Sequence, residues 1–157
     1  AATLSPWLKD PETRDQLKPE AVWEIERGLA MQASDVHKAS VIRSDWFRRA
    51  AELFEIYDAL VLPTAQVWPF PMEWTWPRSV AGPTMDTYHR WMEVTIPASL
   101  AGLPAIAMPA GFGANGLPMG IQLIGRKGSD VRLMEIADLY HRHTRWPQER
   151  PPDLSPS

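Results

Sequence analysis

Residues 95–111 read TIPASLAGLPAIAMPAG, and this stretch decides how the carboxyl-terminal half of the chain folds. Gly102 and Pro104 stand between a helix-compatible segment and an apolar run, so they predict a helix end that turns directly into a strand. Pro109 and Gly111 end that strand and permit a tight exit from it. The apolar run between these two pairs is therefore predicted to be a short buried strand.

Two further apolar runs predict strands of the same kind. Residues 57–63, YDALVLP, form a brief apolar block that ends at proline, which is typical of a strand buried on both faces. Residues 119–125, MGIQLIG, predict a third strand, and the turn signal Asn115-Gly116 before it predicts a hairpin with the second. Strands apolar on both faces indicate a sheet that is covered by helices on each side.

The remaining regular structure is predicted to be helical. Residues 19–28 begin with proline, carry acids in the first turn and end with glycine, as a short helix does. Apolar residues recur at three-and-four spacing over residues 34–56. A further helix is expected within residues 85–101, and a last one begins at Ser129 or Asp130.

Composition excludes several classes of protein. The chain has 157 residues, of which 45% are hydrophobic and 22% charged, so one globular domain or a piece of a larger one is expected. The absence of cysteine excludes disulfides and thiolate chemistry and fits a reducing compartment, so we expect a cytoplasmic protein. A net charge of -3 disfavours nucleic-acid binding. Prolines and glycines interrupt the long uncharged stretch 94–125, so no membrane span is expected.

A loop rich in tryptophan and proline is predicted for residues 64–88, where little periodicity is visible. Loops of this length in compact proteins are usually either disordered or functional, and the aromatic content argues against disorder. Trp68, Trp74 and Trp76 have two interpretations. They either cover the core or form the wall of an apolar substrate-binding pocket, and both can hold together.

Motifs for catalysis and metal binding give no site within the chain. There is no G-x-S-x-G nucleophile elbow and no glycine-rich phosphate loop. Asp138, His141 and His143 suggest a metal site, but two histidines separated by one residue do not share a helical face. We therefore expect a solvated helix end there, and neither a catalytic residue nor a metal ligand is assigned.

Three blocks in order resemble the amidase signature family. Residues 58–64, DALVLPT, resemble its D-x-L-L-x-P-T strand, and residues 95–111 resemble its T-x-P-A-N-L-A-G-L-P-A-I-S-V-P-A-G block. Residues 116–126, GLPMGIQLIGR, are similar to its G-L-P-V-G-L-Q-L-I-G block. The match covers about residues 34–140, and Ser99 stands where the family block has asparagine.

The resemblance implies an α/β fold in which helices cover both faces of a mixed β-sheet. It also implies hydrolysis of carboxylic amides by a Ser-Ser-Lys triad, without a metal or organic cofactor. This chain has no Ser-Ser pair and no Gly-Gly-Ser-Ser-Gly-Gly run, so it resembles only the carboxyl-terminal part of such an enzyme. The triad is therefore expected to lie outside this chain.

The resemblance also sets the expected domain organisation and partners. Residues 1–33 are interpreted as an extended amino-terminal arm and short helix, residues 34–145 as the carboxyl-terminal part of an amidase-signature domain, and residues 146–157 as an extended Pro-rich tail. The expected partners are the amino-terminal half of the amidase, in the same or a separate chain, and a small-molecule amide substrate. The chain would complete the sheet and form one wall of the substrate cleft.

Two alternatives remain open from the sequence. In the first, the chain is a non-enzymatic module that binds a small ligand or a second copy of itself as a homodimer. A weaker alternative is a complete hydrolase with an unrecognised site, made of Ser99, His89 and Asp86.

Overall fold

The computed structural model describes residues 3–151. The chain divides into two compact units, Ala1–Asp45 and Trp46–Ser157. Among the described residues, no helix is both long enough and apolar enough to cross a lipid bilayer.

The first unit is helical and contains α1 (Ser5–Lys9), α2 (Pro11–Arg14), α3 (Pro19–Ala30) and the start of α4 (Ala33–Leu53). Each of the first three helices has proline at its first or second position, where a missing N–H costs nothing. The Asp10 side chain also accepts a hydrogen bond from the Glu12 amide and caps α2. Residues 5–14, which were expected to lie in an extended arm, therefore form two short helices.

The helix predicted for residues 19–28 is present but longer. Gly28 does not end α3, which continues to Ala30 and stops where Met31 adopts an extended conformation. Glycine in a helix interior is tolerated at a cost of about 1 kcal/mol, so it marks a helix end only where the chain also turns. Ile25 is the fully buried residue of this helix.

The second unit contains a three-stranded sheet in the order β1-β3-β2. Its strands are β1 (Leu60–Pro63), β2 (Ala105–Phe112) and β3 (Pro118–Ile124), close to the three predicted apolar runs. Both pairings among the described residues are antiparallel, and β2 and β3 form the predicted hairpin.

Helices cover both faces of the sheet, and the prediction of an α/β fold is thereby confirmed. On one face, α4 and α5 (Ile96–Ala101) contribute to a buried cluster. Its buried members are Ala50, Phe54, Ala98 and Ile124. On the other face, α6 (Asp130–Thr144) packs against β2 and β3. The buried members there are Met108, Leu123, Leu133 and Ala137.

Within residues 95–111, Gly102 ends α5 and turns the chain into β2. Gly102 adopts a left-handed conformation with φ of 61°, and the Leu103 amide donates to the Ala98 carbonyl at 3.0 Å. This pairing closes the helix and aims the chain into β2. The helix expected within residues 85–101 is in two parts, because a 3₁₀ helix (Arg90–Thr95) precedes α5.

The last helix begins at Asp130 as predicted. Beyond it, α7 (Trp146–Glu149) forms a single helical turn where an extended tail was expected. Arg145 is left-handed with φ of 49° and separates α6 from α7, so proline at the start of α7 can begin a new turn. The rest of the predicted tail, residues 152–157, lies outside the described residues.

Candidate functional site

An open cleft of about 530 Å³ lies beside the end of β1, where the tryptophan-rich loop meets the β2–β3 hairpin. This volume is within the range of small-molecule pockets. Three aromatic residues line it: Trp68, Phe70 and Trp91. Met108 and Met119 line it from the two strands of the hairpin, and Thr64 lies at the start of the loop.

Two glutamine side chains hold the elements around this cleft. Gln122 on β3 is only 7% exposed, and its Nε2 donates to the carbonyls of Pro63 and Val94, each at 3.0 Å. Gln66 Oε1 accepts from the Val94 amide at 2.9 Å. Both backbone groups of Val94 are thus bound by side chains from neighbouring elements. These bonds fix the 3₁₀ helix that carries Trp91.

The aromatic rings of the loop pack against one another in edge-on and stacked pairs. Phe70 meets Trp91 edge-on, with centroids 5.5 Å apart and planes at 89°. Tyr88 meets Trp91 edge-on at 6.1 Å. Such pairs contribute about 0.5–1.5 kcal/mol beyond their buried area, so they stiffen an otherwise irregular loop.

Two glycines of the hairpin bring backbone close to the cleft walls. A Cβ at Gly113 would lie 3.0 Å from Cζ3 of the Trp68 ring, so that ring rests directly against the glycine backbone. A Cβ at Gly120 would lie 2.6 Å from Thr64 Oγ1. The Thr64 amide also donates to the Gly120 carbonyl at 3.0 Å, which extends the ladder just beyond β1. Both contacts require the absence of a side chain.

The cleft is apolar and uncharged. Among the described residues that line it, none has an ionisable side chain. Its polar side-chain atoms are the Thr64 hydroxyl and the indole N–H groups of Trp68 and Trp91. Nε1 of Trp91 is buried and has no hydrogen-bond acceptor among the described residues. The surroundings therefore favour neutral, apolar groups over charged ones.

Of the three tryptophans named from the sequence, Trp68 lines this cleft, and Trp74 and Trp76 lie outside its lining. Trp68 lines the cleft and is 47% exposed. Trp74 is not a lining residue, but stacks on Phe70 with centroids 6.2 Å apart. Trp76 is also outside the lining, and its Nε1 donates to the Met85 carbonyl at 3.3 Å.

Several lining residues were not identified from the sequence. Phe70 lies in the same loop, and its aromatic character was a usable signal. Trp91 lies beyond the loop, and Met108 and Met119 lie on strands whose apolar pattern indicates only core. Periodicity places residues on strand faces, but it does not say which end of a face a distant loop leaves open.

The residues of the weaker hydrolase hypothesis bind other groups. Ser99 Oγ donates to the Thr95 carbonyl at 3.3 Å, as helix serines commonly do. Asp86 pairs with Arg90 at 3.2 Å, and the His89 ring packs edge-on against Tyr88. Each of these three contacts is made with a residue close by in the chain.

The histidines at the end of α6 also bind locally. A ring nitrogen of His143 lies 2.8 Å from the Leu139 carbonyl, and one of His141 lies 3.2 Å from Gln148 Nε2. Across residues 3–151, there is no cluster of three or more side chains able to hold a metal ion.

Comparison with known proteins relates these features to one family. The sequence profile of the Amidase family matches residues 4–134. A glutamyl-tRNA(Gln) amidotransferase subunit of Dehalococcoides mccartyi is 38% identical over 116 residues. The corresponding subunit of Symbiobacterium thermophilum is 39% identical over 114 residues. Each alignment covers 73% of this chain but 22% of the relative, so the chain spans about a fifth of the length of these proteins.

Solved structures agree with this assignment. A bacterial aryl acylamidase of the amidase signature family superposes with a TM-score of 0.80 at 23% identity, over 94% of this chain and 31% of that one. The corresponding amidotransferase subunit from Thermotoga maritima gives 0.52 at 32% identity, over 76% of this chain and 24% of that one. The first likeness concerns the fold alone. From the profile match and the relatives together, the chain belongs to the amidase signature family.

Proposed function

We propose that this chain is the carboxyl-terminal portion of an amidase that hydrolyses carboxylic amides. In this proposal the Ser-Ser-Lys triad lies in an amino-terminal portion, which is the remainder of the enzyme in the same or a separate chain. The chain completes the sheet and contributes one wall of the substrate cleft, with Trp68 as a contact. The observation that carries the proposal is an alignment of 116 residues that covers 73% of this chain but only 22% of the relative from Dehalococcoides mccartyi.

Apolar side chains exposed on the second unit support the proposal that an amino-terminal portion packs against it. Val61 on β1 is 57% exposed, although it belongs to a strand of the sheet. On α6, Val131 and Met134 are 73% and 64% exposed. In the part of the chain that the structure describes, β1 and β2 are the edge strands of the sheet, and an edge strand can pair with a further strand. Edges and apolar side chains of this kind are normal where a larger domain continues.

The chemistry of the described residues supports a triad located elsewhere. Hydrolysis through an acyl-enzyme needs a nucleophile, a base within hydrogen-bond reach and donors for the oxyanion. The chain has no Ser-Ser pair, and the Ser99 hydroxyl is bonded to a backbone carbonyl of its own helical segment. In this proposal the chain therefore binds and orients an amide, and the nucleophile of the amino-terminal portion attacks it.

Reconstitution of the enzyme tests the proposal. The isolated chain is assayed on a panel of aliphatic and aryl amides, alone and together with the amino-terminal portion encoded upstream of it. We expect no release of amine or ammonia by the chain alone and turnover when both portions are present. Replacing the triad serine of the amino-terminal portion by alanine should abolish that turnover.

The control variant is Ser99→Ala, made in this chain. It should leave turnover by the reconstituted enzyme within about threefold of the parent, because it removes only a local helix hydrogen bond. Turnover by the isolated chain that disappears in Ser99→Ala would instead support a self-contained hydrolase. Failure of both portions together to hydrolyse any amide would favour a non-enzymatic module.

A further inference from the structure

We propose that the cleft binds an uncharged aromatic group of the amide substrate, and that Gly113 sets the cleft width by positioning Trp68. This inference rests on the proposed function, because it assigns the bound ring to the amide that the enzyme cleaves. It names the substrate class and a positioning residue that lies outside the cleft lining.

The cleft has no charged side chain in its described lining, which favours an uncharged ligand. None of its described lining residues has an ionisable side chain, so a charged group entering it would lose hydration without gaining an ionic partner. Apart from the buried Nε1 of Trp91, the polar side-chain atoms of the lining are the Thr64 hydroxyl and the Trp68 indole N–H, which suit a neutral ligand. A carboxylate or ammonium group on the bound part of the substrate is therefore disfavoured.

The walls of the cleft are largely aromatic, which favours an aromatic ligand. Trp68, Phe70 and Trp91 supply aromatic surfaces, and Met119 supplies a polarisable thioether. Aromatic rings attract one another in offset or edge-on arrangements, and thioether sulfur packs favourably against ring edges. The volume of about 530 Å³ accommodates a substituted phenyl ring. A planar aromatic group therefore gains more here than an aliphatic group of equal size.

The position of Trp68 depends on a glycine behind it. Trp68 is 47% exposed, and its ring lies against Gly113 at the start of the hairpin turn. An added Cβ would lie 3.0 Å from the ring and 3.1 Å from Asn115 Oδ1, and each contact is too tight by a few tenths of an ångström. The Gly113 amide donates to the Leu117 carbonyl at 2.9 Å, which holds the backbone in place. Asn115 Oδ1 accepts a hydrogen bond from the Leu117 amide at 3.1 Å, so the Trp68 ring is expected to move further than this held oxygen.

Ligand binding to the chain tests this inference directly. Acetanilide, para-acetamidobenzoate and N-cyclohexylacetamide are titrated into the 157-residue chain with isotope-labelled indole nitrogens, and the tryptophan resonances are followed by NMR. We expect acetanilide to shift the Trp68 and Trp91 resonances saturably. The carboxylate analogue should bind about tenfold more weakly because its charge is desolvated. The cyclohexyl analogue should bind about threefold more weakly because it lacks a ring quadrupole.

Three variants separate the cleft from non-specific binding. Trp68→Ala should weaken acetanilide binding about tenfold, and Gly113→Ala about threefold, because the first removes a wall and the second displaces it. Trp7→Ala removes an exposed tryptophan of the first unit and should leave binding unchanged. Spectral dispersion reports whether each variant is folded. If Trp68→Ala unfolds, Gly113→Ala and the three ligands still decide the outcome.

Three results would overturn the inference. They are binding of the carboxylate analogue as tight as that of acetanilide, unsaturable shifts spread over all tryptophans, and equal effects of Trp68→Ala and Trp7→Ala. Its failure is distinguishable from failure of the proposed function. Saturable aromatic binding without turnover by the reconstituted enzyme leaves the inference standing and removes the proposed function. Turnover without preference for aryl amides leaves the proposed function standing and removes the inference about the cleft.

Discussion

Gln122 is a buried polar residue in the middle strand of the sheet, and its amide joins two elements beside the cleft. Replacing it with leucine keeps the approximate volume but leaves the Pro63 and Val94 carbonyls without their donor. Both bonds are only partly buried, and a hydrogen bond contributes about 0.5–1.5 kcal/mol, so Gln122→Leu should lower the free energy of unfolding by about 1–2 kcal/mol. Urea denaturation of the purified chain measures this change.

The matched control for that variant is Gln148→Leu. Gln148 lies in the same unit, is exposed and, among the described residues, makes one side-chain hydrogen bond. Exposed substitutions of this kind usually change stability by no more than about 0.5 kcal/mol. Equal losses in the two variants would mean that the two carbonyl bonds contribute nothing specific.

Gly120 is a position where volume, rather than backbone conformation, requires glycine. A Cβ there would lie 2.6 Å from Thr64 Oγ1 and 3.1 Å from the Met108 backbone oxygen. Gly120→Ala should therefore destabilise the chain by about 2 kcal/mol, as overpacking does. The double variant with Thr64→Ala should recover about 1 kcal/mol of the loss, because the closest contact is removed. Thermal and urea denaturation of the single and double variants give the coupling energy.

Gly102→Ala is the contrasting control. Gly102 has φ of 61°, and no described heavy atom lies within 4 Å of the Cβ position, so only backbone strain is added. The expected cost is about 1 kcal/mol, and Thr64→Ala should not change it. A coupling of Thr64→Ala with Gly102→Ala as large as that with Gly120→Ala would contradict the steric explanation.

At the scale of elements, the strands and longer helices were predictable because each is specified by its own residues. The apolar runs predicted the three strands, and the turn signal before β3 predicted its hairpin with β2. The spacing of apolar residues predicted α4. The short helices α1 and α2 were missed, since neither has enough residues for apolar periodicity. Their starts depend on proline and on the Asp10 cap, which are weak signals in isolation.

The candidate site was predictable only in part for a related physical reason. Aromatic composition indicated a functional loop, and Trp68 does line the cleft. An irregular loop has no repeating side-chain direction, so nothing in the sequence distinguishes Trp74, which is not a lining residue, from Trp68. Trp91 lies in a 3₁₀ helix that Gln66 and Gln122 bind through Val94, and such long-range bonds leave no local pattern.

The 3₁₀ helix that carries Trp91 gives a prediction at this scale. Gln66→Ala removes the acceptor of the Val94 amide, whose distance to Gln66 Oε1 is 2.9 Å. We expect hydrogen exchange at the Val94 amide to accelerate about tenfold or more, because its opening no longer breaks a hydrogen bond. Exchange at the Leu123 amide in the middle strand should stay unchanged, as measured by NMR. Equal acceleration at both amides would indicate global destabilisation instead.

At the scale of the whole molecule, the second unit has a covered core and uncovered margins. The sheet has helices on both faces, yet β1 and β2 remain edges and α6 exposes apolar side chains. Two kinds of apolar residue therefore coexist on α6. Leu133 and Ala137 hold the unit together, and Val131 and Met134 face away from the described core. The second kind should matter for association with the amino-terminal portion rather than for folding.

Substituting the exposed pair on α6 separates these two roles. Val131→Gln with Met134→Gln should change the unfolding free energy of the isolated chain by less than about 1 kcal/mol, because both side chains are already largely in water. The same pair should weaken association with the amino-terminal portion about tenfold or more, because apolar burial is lost there. Titration calorimetry between the two purified portions measures the affinity. Glu135→Gln is the control on the same helix and should leave it within about twofold. Unchanged affinity in the double variant would mean that α6 stays outside the interface, and a large loss of chain stability would mean that these residues belong to the core.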